Sequence, residues 1–262
     1  AALQPPAPPA MASDGSRYVL GEELFRGGMG RILRGTDRVL GRTVALKLPH
    51  AHPGAAARFA REIDTLARLA HPSIVTVLDA CRIDEETPYL AMPLLRGRTL
   101  TAAVAAGLVG RSALLAIVPA LSAVAYAHAM GVVHRDLKPD NLFIGAFGEC
   151  TVLDWGLAAA LGETDNAAGG GSSGYACREQ LAGAAAAPDH DVFALGAVLR
   201  FVFAGPRGAA DAAMPAEVAS IVRCAMAPSG QRYPDATALL RDVEQYLAGK
   251  PVSVHAYRWH ER

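Results

Sequence analysis

The sequence lacks an excess of charge of either sign. It has 25 lysines and arginines against 25 aspartates and glutamates, so its formal net charge is +0. This balance gives no overall field that would concentrate a phosphate backbone or an anionic membrane around the chain. We therefore expect no nucleic-acid partner and no membrane contact from this segment itself.

Cysteine is also scarce. The four thiols, at Cys81, Cys150, Cys177 and Cys224, do not form the paired Cys-x-x-Cys spacing of zinc sites. Disulfide frameworks are typical of short secreted chains that are dense in cysteine, which this chain is not. We expect reduced thiols in a cytosolic domain.

Long apolar runs are missing as well. The longest, Ala113–Ala127, has 15 residues and includes a proline, so we expect it to be too short to span a bilayer. The first residues do not follow the basic, apolar, small-residue order of a signal peptide. The expected location is the cytoplasm, either for the whole protein or for the cytoplasmic part of a longer membrane-anchored protein.

Apolar residues in general are abundant, at 52% of the 262 residues with a mean hydropathy of +0.21. This is enough for one large domain or two lobes. Hydrophobic periodicity predicts strands at 18–20, 31–34, 43–47, 74–78 and 89–92. It predicts helices over 55–69, 113–129, 192–203, 218–226 and 236–247.

The change from strands to helices predicts an α+β fold with two lobes. Residues 1–15 are rich in alanine and proline and are expected to form a flexible leader. A small antiparallel β lobe with one main helix is expected over 16–92. A connecting segment and a larger, mainly α lobe are expected over 93–248, followed by a linker over 249–262.

Lysine and asparagine are so rare that their positions are informative. Only three lysines and two asparagines occur, and Lys47, Lys138 and Asn141 fall within recognisable patterns. The patterns are Val44-Ala45-Leu46-Lys47, His134-Arg135-Asp136-Leu137-Lys138-Pro139-Asp140-Asn141 and Asp154-Trp155-Gly156. Together they resemble the signature set of protein kinases, with tryptophan in place of the family's phenylalanine in the last motif.

The resemblance is to the bacterial (Hanks-type) serine/threonine protein kinase catalytic domain and extends from about Tyr18 to Leu247. It implies the two-lobed protein kinase fold and the use of ATP and Mg²⁺. The implied catalytic residues are Lys47, Glu62, Asp136 and Lys138, and the implied metal ligands are Asn141 and Asp154. Glu62, 15 residues after Lys47, is expected to pair with that lysine, whereas His134 is expected to be a packed structural residue.

The same resemblance implies a nucleotide-binding set. Its members are Leu24, Gly27, Gly28, Gly30, Ile32, Ala45, Lys47, Met92, Pro93, Leu95 and Phe143. Phe25 stands where the family has the first glycine of its phosphate-binding loop. A glycine turn of this kind is also an ordinary hairpin turn, and the apolar members of the set are also ordinary core residues.

An activation segment is implied after Asp154, with Thr164, Ser172, Ser173 and Glu179 as its notable residues. Ser172 is expected to lie beside Asp136 and Lys138, and Glu179 to pair with Arg232. Asp191 is expected to brace the backbone of the catalytic loop. Arg178 replaces the proline of the family's Ala-Pro-Glu motif, and the stretch between Phe203 and Val218 is short.

The resulting prediction is a kinase that phosphorylates serine and threonine hydroxyls of proteins, itself included. The resemblance implies, through Lys138, a preference for serine and threonine over tyrosine. Two alternatives are open at this point: a pseudokinase acting as a nucleotide-binding regulatory module, and a small-molecule phosphotransferase with a kinase-like fold. Labelling with ATP and Mg²⁺ distinguishes them. The sequence does not identify the protein substrate or the oligomeric state.

Overall fold

Antiparallel strands dominate the first third of the chain and helices dominate the rest. The computed structural model describes residues 17–27, 30–50, 54–82, 88–164, 170–205 and 214–257. The predicted leader 1–15, the glycine Gly28 and residues 258–262 of the predicted linker lie outside these residues. The described chain forms two compact units, a β unit reaching to Arg68 and including Val75–Leu95, and a helical unit with Leu69–Ile74 and the residues from Arg96 onward.

The β unit contains one five-stranded antiparallel sheet and one helix. Its elements are β1 (Tyr18–Gly27), β2 (Gly30–Asp37), β3 (Arg42–Leu48), α1 (Ala55–Arg68), β4 (Asp79–Arg82) and β5 (Pro88–Pro93). The strand order is β1-β2-β3-β5-β4. Alternate residues of β2 and β3, such as Leu33, Val44 and Leu46, point into a core that Tyr18 and Tyr89 complete.

The strand predicted at 74–78 is wrong. The strand in this region is β4, which pairs with β5 so that Asp79 is opposite Ala91. Continuing that register would place Val77 opposite Pro93, and proline has no N–H for a ladder hydrogen bond. Ile74 instead forms an isolated parallel bridge with Val152 in the helical unit.

The helical unit is built around a long apolar helix. Its elements are β6 (Gly97–Thr99), α2 (Leu100–Ala105), α3 (Gly110–Ala129), β7 (Val132–Val133), β8 (Leu142–Gly145), β9 (Cys150–Val152), β10 (Ala159–Ala160), α4 (Arg178–Leu181), α5 (Pro188–Ala204), α6 (Ala216–Ala225) and α7 (Ala236–Leu247). The four long helices agree with the predicted ones to within a few residues. The α+β fold, with a small β unit and a larger helical unit, is confirmed.

Helix α3 has the length and composition of a membrane-spanning helix, and it alone does so among the described residues. It extends beyond the predicted apolar run because Gly110 to Ser112 join its first turn. Half of this apolar helix is buried within the protein, where α3 packs against α5 and α7. These are the contacts of a core helix.

Residues 249–257 pack against the helical unit. Val252 is only 3% exposed. The buried Asp242 of α7 accepts hydrogen bonds from the backbone N–H of Ser253 at 2.9 Å and from its hydroxyl at 2.8 Å. His255 is hydrogen-bonded to Ser220 of α6, with 2.9 Å between Nδ1 and Oγ. This part of the chain therefore contributes to the fold of the helical unit.

Candidate active site

A buried ion pair joins a strand and a helix in the β unit. Lys47 lies in β3, and Glu62 lies on the buried face of α1 between Phe59 and Leu66. The Lys47 Nζ donates to Glu62 Oε1 at 2.6 Å, and the two side chains are 9% and 4% exposed. The predicted pairing is confirmed. Because removing either partner would leave an uncompensated buried charge, each residue fixes the position of the other.

The glycine turn joins β1 to β2. At Gly30 a Cβ atom would overlap the carbonyl of Leu48, so only glycine fits there. The Gly27 carbonyl accepts a hydrogen bond from His50 Nε2 at 2.6 Å. Phe25 is 61% exposed, but the edge of its ring lies so close to Gly27 that a Cβ on that glycine would be 2.7 Å from it. Gly27 and Gly30 are therefore both closely packed.

The other predicted nucleotide-binding residues fall mostly on the strands of this sheet. Ile32 is in β2, next to Lys47 in the pairing with β3. Ala45 of β3 is paired with Met92 of β5, and both are buried. Leu24 lies within β1. Pro93 is at the end of β5, Leu95 lies just beyond it, and Phe143 is in β8 of the helical unit.

Asp136 is the centre of a polar cluster in the helical unit. Its carboxylate, 5% exposed, accepts from Ser172 Oγ at 2.8 Å, from Lys138 Nζ at 2.8 Å and from Asn141 Nδ2 at 3.1 Å. Lys138 also donates to Ser172 Oγ at 2.7 Å. The predicted position of Ser172, beside both charged residues, is confirmed. The carboxylate thus faces a hydroxyl and an ammonium at the same time.

His134 connects this loop to the start of the Asp154 motif. Its ring is fully buried, with Nδ1 accepting from the backbone N–H of Asp136 at 3.2 Å. Nε2 must then carry the proton, which it donates to the Leu153 carbonyl at 3.0 Å. Trp155, 1% exposed, lies against the same ring with 4.6 Å between centroids. His134 is a packed structural residue, as predicted, and Trp155 packs against it.

Asn141 and Asp154 are two oxygen-bearing side chains close to this cluster in the chain. Asn141 directs its amide N–H groups to the backbone carbonyl and carboxylate of Asp136, which leaves its side-chain oxygen as the atom able to bind a ligand. The Asn141 backbone carbonyl accepts from the backbone N–H of Leu153 at 2.8 Å. Asp154 is the next residue in the chain, so this hydrogen bond holds its backbone near Asn141. Asp154 has a left-handed backbone, with φ of 59°, a conformation that persists where the surroundings enforce it.

The metal chemistry suited to these side chains is that of a hard cation. The described residues contain no group of three or more His, Cys, Asp or Glu side chains that could hold a metal ion. Mg²⁺, however, usually takes one or two protein oxygens and completes its shell with phosphate and water. Asn141 and Asp154 offer such oxygens on neighbouring parts of one loop system, so they fit Mg²⁺.

Asp191, in the first turn of α5, supports the catalytic loop, which comprises residues 134–141. Its fully buried carboxylate accepts from the backbone N–H of His134 at 2.7 Å and of Arg135 at 2.8 Å, and from His128 Nε2 at 3.0 Å. Burial alone would raise the pKa of Asp191, but the hydrogen bond from His128 and the nearby donors lower it. The predicted bracing of the loop is confirmed.

The end of the predicted activation segment is fixed by a second ion pair. Arg232, 3% exposed, donates through Nη2 to Glu179 Oε2 at 2.9 Å, as predicted. Ser173 and Thr164 are exposed, in contrast to the hydrogen-bonded Ser172. Arg178 begins α4 with its side chain exposed. The segment therefore combines an anchored end with accessible hydroxyls.

Acid is expected to remove the contribution of Glu179 to stability. Its own backbone N–H and Arg232 hold the pKa of this carboxyl at about 2, below its ordinary 4.5, although partial burial opposes them. A group whose pKa is lowered by folding stabilises the protein above its unfolded pKa and loses that effect as the pH falls towards the folded value. At pH 6 we expect the wild-type free energy of unfolding to exceed that of Glu179→Gln by about 1 kcal/mol, because the carboxylate is partly exposed.

Urea unfolding of the two proteins from pH 6 down to pH 3 measures this difference. It should shrink below pH 4.5, the ordinary value of this carboxyl. A difference that stays constant over the whole range would show that the ionised carboxylate is not the stabilising species.

One buried residue of the site escaped the sequence analysis. Gln180, 2% exposed, donates through Nε2 to the carbonyls of Arg135 and Gly170 at 2.6 and 2.7 Å. Its position next to Glu179 was visible, but a glutamine in a short helix is usually a surface residue. Only the contact with a residue 45 positions away reveals it.

Comparison with known proteins agrees with this geometry. The family model for the protein kinase domain matches residues 18–237. A probable serine/threonine-protein kinase of Streptomyces coelicolor is 33% identical over 279 residues, covering 92% of this chain and 42% of that protein. A DNA damage-responsive serine/threonine-protein kinase of Deinococcus radiodurans is 38% identical over 200 residues, covering 72% of this chain and 30% of that protein.

The probable serine/threonine-protein kinase PknB of Lactococcus lactis is similar in the same way. It is 36% identical over 193 residues, which cover 70% of this chain and 31% of that protein. The chain thus spans less than half the length of these curated relatives. The matched region includes the ion pair of the β unit and the whole Asp136 cluster.

Proposed function

Because the chain belongs to the protein kinase family, we propose that it transfers the γ-phosphoryl group of ATP to serine and threonine hydroxyls of proteins, including its own. The observation that carries the proposal is the environment of Asp136. A serine hydroxyl already donates to its carboxylate at 2.8 Å, with the Lys138 ammonium 2.8 Å from the other carboxylate oxygen. An incoming hydroxyl needs the same acceptor and the same nearby positive charge.

Each of the predicted catalytic and metal-binding side chains has a separate task in this proposal. Asp136 accepts the hydrogen bond of the acceptor hydroxyl and orients its oxygen. Lys138 offsets the negative charge of the transferring group, and Lys47, fixed by Glu62, holds the phosphates of the nucleotide. Bound Mg²⁺ would supply charge neutralisation of the phosphates, and Asn141 and Asp154 would hold it.

The nucleotide is proposed to lie against the strands of the β unit. Gly27, Gly28 and Gly30 would expose backbone N–H groups to its phosphates, and the apolar members of the nucleotide-binding set would contact the base. Gly30 supports this, since it adds no side chain at the start of β2 and a Cβ there would meet the Leu48 carbonyl.

The alternative of a pseudokinase is not supported. The residues on which transfer depends are present and are held by short contacts, namely the Lys47–Glu62 pair and the Asp136 cluster. The relatives' names describe them as serine/threonine-protein kinases, which also favours protein over small-molecule substrates. We propose a cytoplasmic location for this part of the chain, consistent with α3 packing as a core helix.

The test is incubation of the protein with ATP labelled on the γ or the α phosphate, with and without Mg²⁺. We expect Mg²⁺-dependent labelling from the γ position only, on serine or threonine by mass spectrometry, and none with Lys47→Met. No transfer to the chain or to any offered protein, despite measurable ATP binding, would refute the proposed function.

The Asp154→Asn variant is expected to lose the gain in ATP affinity that Mg²⁺ provides. Its neutral amide is a weaker ligand for a hard dication than a carboxylate, and loss of one such ligand should weaken Mg²⁺-dependent binding by about 10-fold or more. Calorimetric titration with ATP, with and without Mg²⁺, measures the effect. Asp140→Asn is the matched control, because Asp140 is an exposed carboxylate next to Asn141 and no metal-binding role is proposed for it. An unchanged Mg²⁺ effect in Asp154→Asn would place the metal elsewhere.

A further inference from the structure

Gln180 joins three parts of the helical unit through one side-chain amide. It lies in α4, and its Nε2 donates to the Arg135 carbonyl in the catalytic loop at 2.6 Å. The same nitrogen donates to the Gly170 carbonyl, in the activation segment, at 2.7 Å. The side chain is 2% exposed, so water does not replace these bonds readily. We refer to these two hydrogen bonds as the Gln180 bridge.

The chemistry of the bridge admits one orientation of the amide. Both partners are carbonyl oxygens, which only accept, so the NH₂ group must face them and both of its protons are used. A glutamate has no second proton for this purpose, and an asparagine is shorter by one methylene. Glutamine therefore has the length and the two donors that the bridge uses.

The partner in the catalytic loop has an unusual backbone. Arg135 has a φ of 68°, in the left-handed region that non-glycine residues rarely adopt. Its N–H donates to Asp191 Oδ1 at 2.8 Å, and its carbonyl accepts from Gln180. Both peptide groups flanking this residue are therefore fixed by buried side chains, which is what a strained conformation requires in order to persist.

The peptide that Gln180 contacts is the one that leads into Asp136. Rotation of this peptide would move the Asp136 carboxylate away from Ser172 and Lys138, to which it is bonded at 2.8 Å in each case. The Gly170 side of the bridge depends on close packing, because a Cβ at Gly171 would be 2.7 Å from the Gln180 Nε2. The position of the Gln180 amide thus depends on the activation segment at Gly170, and the orientation of the Arg135–Asp136 peptide depends on that amide.

We infer that Gln180 is a positioning residue for phosphoryl transfer. Its side chain couples the position of Gly170 in the activation segment to the orientation of Asp136. This inference rests on the proposed kinase function. Displacement of Gly170 would remove one of the two acceptors of the amide and free the side chain to rotate. The Arg135–Asp136 peptide would then keep only the 3.2 Å hydrogen bond from the Asp136 N–H to His134 Nδ1, and its carbonyl would lose its donor.

The test replaces Gln180 by methionine, which has a similar length but no donor, and by asparagine, which keeps the amide but is too short. Both variants should lower kcat about 10- to 100-fold, as expected for a small misplacement of a catalytic group. The KM for ATP should stay within two-fold of the wild-type value. Amide hydrogen exchange at Tyr175 and Ala176, whose N–H groups donate to the Ser172 carbonyl, should accelerate at least 10-fold.

Ser220→Ala is the matched control for a merely structural role. Ser220 is also buried, and its hydroxyl is hydrogen-bonded to the Ala216 carbonyl and to His255, far along the chain from the catalytic loop. All assays are run well below the melting temperature of each variant. The control should lose stability and keep its kcat and the exchange rates at Tyr175 and Ala176.

The outcomes separate this inference from the proposed function. Gln180 variants with a kcat within two-fold of wild type, or with a loss no larger than that of Ser220→Ala, would overturn it. Should the wild-type protein transfer no phosphate, the proposed function fails, and the exchange measurement still decides the bridge. Unchanged exchange at Tyr175 and Ala176 in Gln180→Met would then show that no such coupling exists.

Discussion

Replacing Asp136 by alanine is expected to lower kcat by about 10³-fold while ATP affinity changes by less than about two-fold. The carboxylate would lose its role as acceptor for the substrate hydroxyl. The loop itself should survive, because Lys138 and Ser172 are bonded to each other at 2.7 Å and Asp191 still holds the backbone. Steady-state kinetics with a protein substrate and calorimetric titration with ATP measure the two quantities.

The Asp140→Ala variant provides the comparison for this effect. Asp140 is an exposed carboxylate in the same loop, and no catalytic role is proposed for it. Its kcat should remain near the wild-type value. Full activity in Asp136→Ala would mean that another group orients the hydroxyl, and the kinase mechanism proposed for this cluster would be wrong.

Replacing Asp191 by alanine is expected to have the largest effect on stability, a loss of about 4 kcal/mol in the free energy of unfolding. Three donors, the N–H groups of His134 and Arg135 and the Nε2 of His128, would lose their buried acceptor. An unsatisfied buried donor costs about 1 to 3 kcal/mol. Urea unfolding at neutral pH measures the loss, and activity should fall with it because the catalytic loop loses its support.

Asp189→Ala is the control from the same helical turn. The Asp189 side chain is 18% exposed and accepts from Ser229 at 2.8 Å and from Arg232 at 3.3 Å. Its replacement should cost much less, about 1 kcal/mol. Equal losses in the two variants would indicate that helix α5 itself, and not the bracing of the loop, responds to the substitution. Asp191→Asn, which keeps one acceptor oxygen, should fall between wild type and Asp191→Ala.

The parts of the site that the sequence predicted are those in which residue type and spacing already specify a task. Asp136, Lys138 and Asn141 lie within eight residues and form one cluster, and the Lys47–Glu62 pair follows from a strand and a helix at a known spacing. The fold class followed from periodicity. The prediction of a strand at 74–78 was wrong because apolar alternation does not reveal whether the residue opposite each position has a backbone N–H to donate. Here that residue would be Pro93, which has none.

The parts that could not be predicted depend on contacts between distant residues. Gln180 and Arg135 are 45 positions apart, and His128 and Asp191 are 63 positions apart. His128 also accepts from Ala236 N at 3.2 Å, so it connects α3, α5 and the first turn of α7. A glutamine or histidine in an alanine-rich helix does not reveal such partners, because they exist only after the helices have packed.

The docking of residues 249–257 has a consequence for biosynthesis. Asp242 of α7 and Ser220 of α6 have partners earlier in the chain, and they gain further ones in Ser253 and His255, which a ribosome adds after both helices. Domains fold as units during synthesis as their residues emerge. The helical unit therefore lacks these contacts until the nascent chain has been extended well past α7, and a chain that stops shortly after Leu247 would leave the Asp242 carboxylate without its Ser253 donors.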